Sequence, residues 1–334
     1  MSISSIDTGQ DKAKRILTAY LKKNRIPKTL IFSGPPGSGK SHFALQFAKD
    51  SACPDKIDSF ACNNCTSCNL IKYKTSPDLL IITSDNQLSI KIDDMRKMQD
   101  FSAFKAVYGT TKFAIIEDAH LLTIEAFNSI LKILEEPNAS INFILTTSKI
   151  DFIPQTIKSR STIVTFCSYS DNEVKDILSK ASISDEKVEL LTNISNGNIK
   201  LALNLTDNEQ FEERNEIIKD FLNLMNRDYT YIPPIYRKER ALLLIFYWQS
   251  ILKDICKTRI LKNEKYIRNS DFLEDIISTA SYLEASDFLY IQKELLNAEE
   301  DITQTNVNVK GYMTGLLCRF KEIIIDKSPM NYKY

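Results

Sequence analysis

Glycine is scarce in this chain, 8 residues of 334, roughly a third of the usual share of about 7%. None falls between 198 and 310, so the second half has little loop or turn chemistry and reads as rigid helix. An excess of either charge is also lacking, with 43 Lys and Arg against 43 Asp and Glu. That balance excludes a chain that holds nucleic acid alone by neutralising phosphates, and a DNA role would need a local patch or basic partners. Long apolar runs are missing too. The longest, Ala241 to Trp248, is followed by Gln249 and Ser250; it falls well short of the roughly 18 residues of a membrane span and reads as a buried helix. The first ten residues have neither the basic start nor the apolar core of an export signal, so a cytoplasmic protein without a membrane is expected.

What is present begins with alternation. Ala13, Ile16, Leu17, Tyr20 and Leu21 follow a helical period. Short, almost wholly apolar runs then recur at 29–33, 79–83, 113–116, 143–146 and 163–166, separated by helical pattern. Strands apolar on both faces predict a parallel sheet covered by helices, an α/β fold. After Phe166 the strand pattern stops. Residues 171–205 read as two or three short helices, and from about 208 the pattern is helical apart from the break at 229–234.

Three of the eight glycines lie in Gly34-Pro35-Pro36-Gly37-Ser38-Gly39-Lys40-Ser41, which follows the apolar run Leu30 to Phe32 and precedes a helical stretch at 42–49. The spacing matches a phosphate-binding P-loop, G-x-x-x-x-G-K-[ST], in its required strand-to-helix context. Glycines let backbone N–H groups turn toward an anion, and the helix start adds partial positive charge. Lys40 would reach the β and γ phosphates of ATP and Ser41 would ligate Mg2+. An ordinary glycine turn is the plain alternative.

The third apolar run ends in Glu117-Asp118. A nucleotide hydrolase needs one carboxylate for metal and a second for water, usually Asp then Glu. Here the order is reversed, which displaces each carboxylate by more than about 1 Å, a scale that can cost on the order of a hundredfold in rate. ATP binding with weak or absent hydrolysis is therefore expected. Two solvated acids at a strand end would need no function.

Seven cysteines are unevenly placed. Cys53, Cys62, Cys65 and Cys68 share one window with C-x8-C-x2-C-x2-C spacing, and four thiolates complete a structural zinc shell with no open position. An iron-sulfur cluster or unligated thiols also fit the spacing. Cys167, Cys256 and Cys318 have no nearby ligand partners and read as core thiols.

Together these residues resemble the AAA+ clamp-loader subunits of bacterial DNA polymerase III, most closely over 7–166. The resemblance rests on Gly9-Gln10, the P-loop, the four-cysteine module, Ser76-Pro77-Asp78, the Asn128 to Pro137 segment, Thr146-Thr147-Ser148 and Ser159-Arg160-Ser161. The segment 128–136 also reads as a helix with Phe127, Ile130, Leu131 and Leu134 on its apolar side, stopped by Pro137. The resemblance implies that its polar side, with Lys132, Glu135 and Glu136, faces a subunit interface. It makes Arg160 an arginine finger that acts in trans on a neighbouring ATP site, Thr147 a polar sensor, and Lys200 the counterpart of a second-sensor arginine. Lys keeps the charge of that arginine and loses its fork geometry.

Ser76-Pro77-Asp78 and the Glu117-Asp118 order resemble the delta prime type within the family. The resemblance then implies a P-loop domain at 1–166 with a zinc module at about 53–68, a small helical lid at 167–207 and an all-helical collar at 208–334. Its partners would be the motor ATPase and delta-type subunits, the sliding clamp and primed DNA, all within the DNA polymerase III holoenzyme, a DNA-directed DNA polymerase. An active motor ATPase subunit and a free-standing P-loop enzyme remain the alternatives.

Overall fold

The computed structural model describes residues 9–84, 90, 92–135, 141–181, 183–226, 235, 237–261, 263, 266–305 and 307–326. They form two compact units, one of residues up to 180 with 195–201, the other of 181–194 with 202 onward.

The first unit holds five strands, β1 (Thr29–Ser33), β2 (Leu79–Ile82), β3 (Lys112–Ile116), β4 (Ile141–Thr147) and β5 (Thr162–Thr165). All pair in parallel in the order β2-β3-β4-β1-β5. The five expected runs are thus the five strands, with ends differing by one or two residues. Around them lie α1 (Asp11–Lys22), α2 (Lys40–Ala52), α3 (Thr66–Lys72), α4 (Ile92–Ala103), α5 (Ile124–Glu135), α6 (Gln155–Lys158) and α7 (Asp171–Leu178).

Successive strand side chains point to opposite faces, and both faces are covered. Leu30, Phe32, Phe113, Ile115, Ile144 and Val164 pack with Leu17, Leu21, Phe43 and Phe47 of α1 and α2. The intervening Ile31, Ala114, Ile116, Phe143 and Leu145 pack with Ala126, Phe127, Ile130 and Ile133 of α5. This two-sided cover is why the strands carry no polar alternation. In α5, Phe127 and Ile130 are buried, Leu131 is half-buried and Lys132 is exposed. Glu136 and Pro137 lie outside the described residues, as does the break at 229–234.

A parallel sheet gathers all its strand ends at one edge. The turns after β1, β3 and β4 therefore emerge together, while the approach to β5 lies at the opposite edge.

Chain order continues with α8 (Asp185–Ser195) and α9 (Ile199–Asn204), then α10 (Asn208–Met225), α11 (Lys238–Leu261), α12 (Leu273–Tyr282), α13 (Ala285–Gln304) and α14 (Val309–Asp326). The core of the second unit centres on Trp248 of the apolar run. Its ring stacks on Phe221 at 5.4 Å, its indole N–H donates to the Ile217 carbonyl at 3.3 Å, and Phe320 closes edge-on. Among the described residues no helix is long and apolar enough to cross a membrane.

Two of the three scattered cysteines correct the sequence reading, while Cys256 packs against the core of the second unit. Cys167 and Cys318 are exposed and Cys256 is half-buried. Cys167 follows the edge strand β5 and uses its backbone: its N–H donates to Gln10 Oε1 at 3.0 Å, and its carbonyl accepts from Gln10 Nε2 at 2.6 Å. Cys318 sits between Leu316 and Phe320, which turn inward and leave it outward on α14.

Candidate nucleotide site and cysteine cluster

β1 delivers the chain into Gly34, whose N–H donates to the Thr147 carbonyl at 3.1 Å and so ties the loop to β4. The loop then wraps the Lys40 ammonium, which donates to the carbonyls of Gly34 (2.8 Å) and Pro35 (2.7 Å) and to Ser38 Oγ (3.3 Å). Burial holds Lys40 below the usual lysine range, and Asp118 opposes that shift. Gly39 precedes α2 without any side-chain cap, and the first turn of α2 contains no acid. The leading N–H groups of α2 and its dipole thus face the loop uncompensated by side chains. A glycine cradle, an uncapped helix start and a buried ammonium suit a polyphosphate.

The turn after β3 begins with Glu117, half-buried, and Asp118, exposed. Asp118 takes a left-handed conformation, φ 49° and ψ 49°, and its N–H donates to Thr146 Oγ1 at 3.2 Å. Thr147 is fully buried at the end of β4. The loop, Glu117, Asp118 and Thr147 therefore share the carboxyl edge of the sheet. Arg160 does not join them. It precedes β5 at the opposite edge, exposed, with Nη1 donating to the Thr156 carbonyl at 3.2 Å.

Lys200 is exposed on the first turn of α9. The contact to the phosphate loop is made by its neighbours: Ile199 N–H donates to the Gly37 carbonyl at 3.1 Å, and the Asn198 side chain lies directly against Gly37. Asn198 Oδ1 also caps α9 by accepting the Leu201 N–H at 3.0 Å.

Sequence reasoning also passed over Tyr169 and His120. A Cβ on Gly39 would lie 2.9 Å from the Tyr169 hydroxyl, and one on Gly9 would lie 2.5 Å from its ring. Burial, with Glu173 nearby, pushes that hydroxyl up to about 12. The scarce glycines were the available signal, since two of them, Gly9 and Gly39, leave room for one aromatic side chain.

The cysteine cluster forms at the far end of α2. Cys53 follows the last residue of α2, Cys65 caps α3, and Cys68 lies within α3. All four sulfurs lie within 4.8 Å of one another. Distances are 3.7 Å for Cys53 to Cys62, 3.9 Å for Cys53 to Cys65 and 4.0 Å for Cys62 to Cys68. A tetrahedron with metal–sulfur bonds of about 2.3 Å has edges of about 3.8 Å, so the cluster fits one zinc-sized ion. Backbone N–H groups of Cys62, Cys65 and Cys68 donate to the preceding cluster sulfurs at 3.4, 3.3 and 3.4 Å. The N–H groups of Asn64 and Cys65 draw the Cys62 thiol down to about 7, whereas burial pushes Cys53 and Cys68 up. Clustered thiols of this kind ionise together only against a cation.

The family described as "DNA polymerase III, delta subunit" matches residues 9–170. The DNA polymerase III delta' subunit of Bacillus subtilis is 27% identical over 94% of this chain and 96% of its own. The tau/gamma subunit of Haemophilus influenzae is 29% identical over 66% of this chain, which spans only 33% of that relative's length. By these matches the chain is similar to the AAA+ clamp-loader subunits of DNA polymerase III and resembles the delta prime subunit among them. Among solved structures, the DNA polymerase III gamma subunit-related protein of Thermotoga maritima has 18% identity and a TM-score of 0.47, covering 94% of this chain and 100% of that one.

Proposed function

We propose that the chain serves as a clamp-loader subunit of the delta prime type in DNA replication. One observation carries the reading: the phosphate loop and its acids lie at one edge of the sheet, and Arg160 is exposed at the other. An arginine so placed faces away from this chain's own nucleotide site and suits a neighbour's, where it would neutralise charge on a transferring phosphoryl group. The delta' relative, aligned over nearly all of both chains, supports the same reading.

The subunit would hold ATP and Mg2+ at Gly34 to Ser41 and turn it over slowly or not at all. Asp118 is one methylene shorter than the usual glutamate, and it is exposed. Cys53, Cys62, Cys65 and Cys68 would hold one structural Zn2+. With the domain at 1–166, the lid at 167–207 and the collar at 208–334, the chain would assemble with motor ATPase and delta-type subunits. Together they would open the sliding clamp and place it on primed DNA.

Reconstitution with such subunits tests this. Arg160→Ala should lower ATP turnover of the complex while leaving nucleotide binding by the isolated chain intact, and unchanged turnover would sink the trans role. The intact loop around Lys40 favours one second reading, an active ATPase subunit. Appreciable turnover by the isolated chain that vanished on Lys40→Ala would establish it.

A further inference from the structure

One more side chain occupies the carboxyl edge of the sheet. His120 lies on the short turn Ala119–Leu121 that follows Asp118, with Nδ1 3.3 Å from Thr147 Oγ1. Thr147 has few options left. Its carbonyl accepts the Gly34 N–H at 3.1 Å, and its hydroxyl oxygen accepts the Lys149 N–H at 3.0 Å. The hydroxyl keeps its proton and one lone pair, and His120 Nδ1 is the group beside it, so the tautomer of the imidazole sets the direction of their bond.

When the threonine hydroxyl donates, Nδ1 is unprotonated and the imidazole proton sits on Nε2. The surroundings agree. Burial holds His120 below the usual histidine range, Asp118 opposes this, and Lys149 and Lys40 add to it. Burial and the two lysines thus favour the neutral ring, and the buried Thr147 lies behind it.

We infer that His120 is a positioning residue of the phosphate site and makes the site favour nucleoside triphosphate over diphosphate. Thr147 commits its own hydroxyl to Nδ1, and the Nε2–H is the donor that the pair retains for a terminal phosphate. This rests on reading Gly34 to Ser41 as a nucleotide site.

The test is calorimetric binding of Mg-ADP and of a slowly hydrolysed ATP analogue to the full chain. His120→Ala should leave ADP affinity within about twofold and weaken the triphosphate about tenfold, the loss of one hydrogen bond to a charged group. His120→Gln, which keeps an amide donor near the Nε2 position, should recover most of that loss. Thr147→Val should reproduce the alanine effect, and the double variant should add nothing to it. Nitrogen-15 spectra of the unaltered chain, which need no variant to fold, should show His120 protonated on Nε2. The opposite tautomer, equal weakening of both nucleotides, or no change on His120→Ala overturns the inference alone. An unaltered chain that binds neither nucleotide overturns the nucleotide-site reading and the inference with it.

Discussion

The side chain of Asn198 fills the space that a side chain on Gly37 would require, and Gly37 has φ +69°. Gly37→Ala therefore faces two obstacles. The left-handed backbone costs roughly 1–2 kcal/mol for a residue with a Cβ, and the new methyl must displace the capping amide of α9. Thermal unfolding should show a lowered Tm and nucleotide titration a loss of binding. Adding Asn198→Ala should relieve the clash and return part of the stability, leaving the backbone strain.

Asp78 is buried, and its carboxylate accepts the N–H groups of Val107, Tyr108 and Gly109, each at 2.7 Å. Removing it strands several donors that folding has taken from water, at about 1–3 kcal/mol for each one left unsatisfied. Asp78→Ala should lower urea-measured stability by about 3 kcal/mol or more. Asp78→Asn should fall between, because one acceptor oxygen survives while the new amide group faces a donor. Equal stability of all three proteins would contradict the arrangement.

Metal analysis of protein purified without chelator should find about one zinc per chain. Because thiolates must be deprotonated to bind, metal should be released as pH falls and retained as it rises. Chelation should lower Tm and expose Cys53 and Cys68, both buried, to alkylation. Iron, or no metal, would dismiss the assignment.

In the second unit, Arg214 is fully buried between Asp271 and Asn269, with a bond of 2.5 Å to Asn269 Oδ1. Asn269 passes the network on to buried Asp254, which accepts the Asn269 N–H at 2.9 Å. Arg214→Ala should cost about 3–5 kcal/mol in denaturant unfolding, as for other buried pairs broken from one side. Arg240 and Glu213 also pair, but both are partly exposed. Arg240→Ala should cost under about 1 kcal/mol.

Much of this was legible in the sequence for physical reasons. The five strands announced themselves as short apolar runs because both faces of a parallel sheet are covered. The phosphate loop and the four cysteines were legible because their chemistry needs fixed spacings over a few residues. What stayed hidden depends on residues far apart in the chain. Asn198 meets Gly37, Asp78 meets Val107 and Arg214 meets Asp271 only through folding, and no local period marks them. His120 and Tyr169 stood in plain view, yet their roles come from the threonine and the glycines they touch. The exposed Cys167 and Cys318 misled because a free thiol's apolar character predicts burial only on average.

The helix α2 begins at Lys40 in the phosphate loop and ends beside Cys53, a span of about 20 Å at 1.5 Å per residue. It behaves as a strut pinned at both ends. Any shift that a nucleotide imposes on the first turn must either be absorbed within that length or arrive at the sulfur cluster as a displacement of one corner of a tetrahedron. A metal-filled cluster tolerates little such displacement. The cysteines, remote from any chemistry on phosphate, would then set how far the loop is able to move.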